Sequence, residues 1–305
     1  MSSPLTSAIS TPPAAAQRAK APARVQYALS RDELYVMQRA LRLPRLPGFD
    51  TSWAKAEPDG SVPHDIERML QGATDALVTR RYLKLVPAQE QGKPPTLQIP
   101  PAIIATLGAC AFSRYSVLLI LSKPKGVLQT YLGQYRQIGV AHSIPSPEVH
   151  VFEALPGRRG VDAALAAQLT LVNQAPMNLP EGVVSLAHLK QGREAAAAGH
   201  ADAATTLFIS GGMPAPIAQA FSDALRDATA RCTLAIAGRL ADGQEVNFNA
   251  ALVVSPTSCF LLHHNTAQSD IVRVQPTSAD ALRVWLKGAL DQFPSVASAA
   301  PATQG

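Results

Sequence analysis

Long apolar runs are missing from this sequence. No window approaches the roughly 18 consecutive apolar residues that a membrane helix needs. The densest run, Val117-Leu118-Leu119-Ile120-Leu121, is strand-sized, so no membrane insertion is expected. Cysteine is scarce. Cys110, Cys232 and Cys259 are odd in number and lack CxxC spacing, which favours buried free thiols in a reducing compartment over disulfides or a thiolate metal site. Aromatic residues make up 5% of the chain against 47% apolar residues in all, so the core is mostly aliphatic. An excess of positive charge is missing where nucleic acid would need it. The formal charge is +5, but Arg18, Lys20 and Arg24 sit in an acid-free N-terminal stretch and leave +2 for the rest. A near-neutral body attracts phosphate weakly, so a nucleic-acid partner is not expected. The N-terminus has no positive cluster followed by an apolar stretch, as a secretory signal would. Pro4, Pro12, Pro13 and Pro22 break any amphipathic transit helix. The expected location is the cytoplasm.

Catalytic signatures are also lacking. No Gly-x-Ser-x-Gly elbow occurs, and paired carboxylates are confined to Asp32-Glu33 at a helix start. Ser210-Gly211-Gly212 has no following lysine, so it reads as a turn and not as a phosphate loop. His200-Ala201-Asp202 has no third ligand nearby, and the rings of His263-His264 point to opposite faces of a strand. His142 and His150 fall on neighbouring predicted strands and form a possible cross-strand pair, without the carboxylate or thiolate support of a metal site. The reading is of no enzyme, no cofactor and no metal.

What is there is a repeated order of elements. Residues 1–25 and 294–305 are Ser/Pro/Ala-rich and are expected to be disordered tails. Between them, two α+β lobes are expected, 26–175 and 176–293, each an antiparallel sheet with flanking helices. Ser30 with Glu33 predicts a capping box, and Leu29 with Leu34 a hydrophobic staple. Helices are predicted near 65–81, 101–108 and 161–171, with strands near 112–121, 127–133, 138–144 and 149–154 between the last two. The second half repeats this: helices, a strand at 232–240, an Asp242-Gly243 hairpin, three more strands and a helix through Leu282, Leu286 and Leu290. Gly126 aligns with Gly243, and Val149-His150-Val151 with Val272-Arg273-Val274, at an offset near 120 residues.

Two recognition surfaces are legible. Arg80-Arg81-Tyr82-Leu83-Lys84 follows a helix. It reads as the recognition end of a winged-helix-like DNA-binding regulator or as cations complementing a helix dipole, and the near-neutral body favours the second. Gly133-Gln134-Tyr135-Arg136 combines aromatic and arginine character, which protein interfaces favour, and reads equally as an interface turn or as an ordinary hairpin turn.

The order of elements resembles the EspG family, cytosolic chaperones of type VII (ESX) secretion. The resemblance is carried by Phe208-Ile209-Ser210-Gly211-Gly212, the helix through Phe221 and Leu225, the strand 232–240 and its Asp242-Gly243 turn. It continues through Ile271-Val272-Arg273-Val274-Gln275-Pro276 and the helix to Leu290, Phe293 and Pro294, and in the first half through Asp65 to Leu121. It implies a pseudo-twofold α+β fold and a non-catalytic chaperone or adaptor. Such a protein binds the apolar helical tip of a secreted substrate, a PE–PPE heterodimer in the family, and keeps it soluble. It also implies partner contacts from the loop between the second and third strands of a lobe, here Gly133 to Arg136, and from the C-terminal helical bundle.

Overall fold

The computed structural model describes residues 26–54, 64–86, 96–169, 177–240, 242–265 and 268–293. The expected tails lie outside the described residues. Strand β1 (Gln26–Ser30) runs directly into helix α1 (Arg31–Ala40). The Ser30 hydroxyl accepts from the Glu33 backbone N–H at 3.1 Å, and the Glu33 carboxylate accepts from the Ser30 N–H at 2.8 Å. This is the expected capping box. Helix α2 (His64–Thr79), a small hairpin of β2 (Lys84–Val86) and β3 (Thr96–Gln98), and helix α3 (Pro101–Ala111) complete the first helical layer. Four strands follow, β4 (Tyr115–Lys123), β5 (Gly126–Tyr135), β6 (Ile138–Ser146) and β7 (Val149–Pro156), and then helix α4 (Gly157–Gln168).

The second half repeats the order without the small hairpin. Strand β8 (Gly182–Ser185) leads into α5 (Leu186–Ala197), followed by α6 (Ala201–Ser210) and α7 (Ala215–Arg226). Strands β9 (Ala230–Arg239), β10 (Glu245–Val254), β11 (Cys259–Asn265) and β12 (Gln268–Pro276) precede helix α8 (Ala279–Leu290). Ser185 caps α5 as Ser30 caps α1, its hydroxyl accepting from the His188 N–H at 3.3 Å. Gly126 and Gly243 close the equivalent hairpins, both at positive φ (141° and 88°), a region that favours glycine.

The sheets of the two halves are continuous. One ten-stranded antiparallel sheet runs β1-β7-β6-β5-β4-β9-β10-β11-β12-β8, so the order of the first half is mirrored by that of the second. The seam pairs β4 with β9, from Tyr115 opposite Gly238 to Ser122 opposite Arg231. One face of the centre carries Val117, Leu119, Leu234 and Ile236, buried beneath Leu165 of α4 and Leu282 and Leu286 of α8. On the other face, α1–α3 pack Met37, Ile103 and Leu107 over Val140 and Phe152 at one end. At the other end α5–α7 pack Phe208, Ile217 and Phe221 over Phe260, Leu262 and Val274. Each such side chain contributes about 1.5–3 kcal/mol on burial. Between the two bundles the sheet stays wet, with Thr233, Asn247 and Asn249 exposed. This is the alternation along residues 246–250 that one buried and one solvated face require.

Strands β1 and β8 and the hairpin β2–β3 are not among the sequence expectations. Both edge strands are short and end in the serine that caps the next helix, so the helix signal overrides them. In β1 only Leu29 is fully inward.

Candidate functional site

The strand ends beside the seam border an open cleft of about 830 Å³, with Phe112, Arg114, Arg239, Leu240, Glu245 and Asn247 among its walls. The expected recognition residues lie at its side, but the turn is shorter than expected. Gly133, Gln134 and Tyr135 are the last residues of β5, and the β5–β6 connection is only Arg136 and Gln137. Arg136 takes φ 53°, the left-handed conformation of a tight two-residue hairpin, so the turn closes without glycine. Gly133 serves packing instead. A Cβ there would stand 2.3 Å from Ser113 Oγ and 3.2 Å from the Tyr115 carbonyl.

Gln134 braces this corner. Its side-chain oxygen accepts from the Tyr115 hydroxyl at 3.2 Å, and its amide donates to the Arg136 carbonyl at 2.8 Å. Tyr135 and Arg136 carry the accessible chemistry. The Arg136 guanidinium lies 5.3 Å from the Tyr135 ring centre, and the Phe112 ring, 49% exposed, lies 6.1 Å from it. Sequence reasoning missed Phe112, Arg114 and Arg239 as site residues. Phe112 caps the C-terminus of α3, and no spacing along the chain announces that residue 114 will meet residue 239.

The other candidates have structural settings. His142 and His150 do meet, Nε2 to Nδ1 at 2.9 Å, between β6 and β7. Burial depresses both, His142 to about 3 with help from its neighbour and His150 to about 4, so the pair is neutral. His263 is half-buried and His264 exposed on alternate faces, and His200 is an exposed residue before α6. Among the described residues no three His, Cys, Asp or Glu side chains cluster as a metal site would. Burial pushes the thiols up, Cys110 and Cys259 to about 12 and Cys232 to about 11, which leaves them protonated and unreactive. Arg80 is turned inward. It pairs with the buried Glu33 carboxylate at 2.7 Å and reaches the Ala28 carbonyl, so its charge is compensated within the fold although the side chain stays 38% exposed.

No family model matches the chain, and no curated protein matches it by sequence. By structure it is similar to the Mycobacterium tuberculosis type VII secretion system chaperone EspG5, solved in complex with a PE25–PPE41 dimer. The TM-score is 0.60 at 12% identity, over 88% of this chain and 97% of that one. The chain has the EspG fold. The EspG resemblance in the order of helices, turns and strands thus extends to three dimensions, although few side chains are shared. Among the described residues, no helix of this EspG-like chain is long and apolar enough to cross a membrane.

Proposed function

We propose that this chain is a non-catalytic, cytoplasmic secretion chaperone that works without a cofactor. It binds the apolar helical tip of a type VII substrate, a PE–PPE dimer or a similar helical protein, and keeps that tip out of water. The observation that carries this reading is the EspG fold, matched over 88% of the chain. The cleft beside the seam supports it, because aromatic and arginine side chains, which protein interfaces favour, line it. Covering an apolar tip removes surface from water at about 25 cal/mol per Å², enough to suppress self-association of a patch of a few hundred Å².

Co-expression of the full chain with the helical secreted proteins of its native host tests the reading. Co-elution of a stable complex in size-exclusion chromatography is expected. Phe112→Ala, at an exposed position, and Tyr135→Ala, at a half-buried one, should weaken it by about tenfold or more, with circular dichroism checking that each variant keeps the fold. Failure of every type VII substrate to co-elute would refute the chaperone reading. Full retention of binding by the doubly substituted protein would move the interface elsewhere.

A further inference from the structure

Arg114 and Arg239 oppose each other across the seam. The Arg239 N–H donates to the Arg114 carbonyl at 3.2 Å, which continues the β4–β9 ladder one step past the Tyr115–Gly238 pair. Direct cross-strand neighbours project to one face of a sheet, and like charges so placed repel. Of the two, Arg239 pairs with Glu245 at 2.8 Å. Arg114 and Arg136 are exposed and have no carboxylate partner among the described residues, and the Arg114 N–H donates to the Gln134 carbonyl at 3.3 Å, beside Tyr135. An otherwise near-neutral body thus concentrates uncompensated cations at one mouth, against two partly exposed aromatic rings.

We infer that this mouth selects a partner whose helical tip carries carboxylates beside its apolar residue. The inference rests on the chaperone reading and names the chemistry of the partner. A carboxylate beside Arg114 supplies the partner that this guanidinium lacks and accepts charge-assisted hydrogen bonds from it. The apolar residue beside it covers Phe112, which water now wets. Neither group alone satisfies the site. A simple anion leaves the rings exposed, and a phosphate backbone running along the mouth meets Glu245 and the exposed Asp242.

The test uses the full chain and two synthetic helical-hairpin peptides that differ only at the tip, Glu-Leu-Glu against Lys-Leu-Lys, with binding read by fluorescence anisotropy. The acidic hairpin is expected to bind at least about tenfold more tightly in about 50 mM salt, with the advantage shrinking in about 500 mM salt. Arg114→Glu should reverse the preference, and Arg114→Lys should keep part of it. Equal binding of the two hairpins, binding of neither, or tighter binding of a short DNA duplex than of the acidic hairpin overturns the inference. The two proposals fail separately. If Arg114→Glu still captures a native type VII substrate as well as the unsubstituted chain, the charge selection is wrong and the chaperone stands. If the acidic hairpin binds but no secreted substrate does, the chaperone reading falls alone.

Discussion

The ring of His142 lies 4.2 Å from that of Phe152, its direct partner across β6 and β7, and within 7° of parallel to it. On its edge His142 meets His150, and the Phe49 ring stands edge-on to His150 at 5.3 Å. The Pro47 carbonyl approaches His142, but Nδ1 has no partner in hydrogen-bond geometry. The pair is a neutral polar island in an aromatic core, where an added proton would bring an uncompensated charge out of water. Unfolded histidines titrate near 6.5, whereas these titrate at about 3 and about 4. Their contribution is therefore present in full above pH 6.5. It is lost as the pH falls toward the folded values, because only the unfolded chain takes up protons there. Urea unfolding at about pH 7.5 and about pH 4.5 should show a loss of several kcal/mol, and His142→Leu/His150→Leu should flatten that slope.

Arg80 guards a buried carboxylate. Glu33 is 6% exposed while Arg80 keeps 38%, so the ion pair is only partly screened. Arg80→Ala is expected to destabilise the fold by about 2 kcal/mol, below the range for a fully buried pair because water reaches the guanidinium. Arg80→Ala/Glu33→Gln should recover part of the loss. Denaturation midpoints of the two variants decide it.

Gly133→Ala forces a Cβ against Ser113 Oγ and the Tyr115 carbonyl. The serine can rotate, but the carbonyl belongs to the strand. A cost of about 1–3 kcal/mol is expected, with a loss of substrate binding larger than stability alone explains, because the same shift moves Tyr135. Calorimetry and binding on one preparation separate the two effects.

Leu234 is fully buried opposite Leu119 in the seam. Leu234→Ala should cost about 2–5 kcal/mol, and thermal unfolding should remain a single transition, since both halves share that core. Two separated transitions would show that the halves unfold independently.

The helices and inner strands were legible because their signals are local. Ser30 and Glu33 announce a cap, Leu282, Leu286 and Leu290 a helical stripe, and Val246 to Ala250 an alternating strand. The seam was not legible. The partners of Val117 and Leu119 are Ile236 and Leu234, and nothing in either run selects the other over the remaining apolar strands. The site was half legible for the same reason. Tyr135 and Arg136 stand together along the chain, but their cationic neighbours come from the residue before β4 and from the far half. Gly133 drew attention as a turn residue, although its lack of a side chain serves a close strand contact.

The seam also sets a hazard during synthesis. β4 leaves the ribosome with Lys123, and its partner β9 begins only at Ala230. At about 5–20 residues per second the nascent first half waits about 5–20 s with the edge of β4 that faces β9 on display. In that interval it is a template for any passing strand, including the same segment on a neighbouring polysome. A protein proposed to shield the sticky end of another thus has its own sticky stage while it is being made. Messages truncated before β9 should yield aggregates and not a half-sized domain.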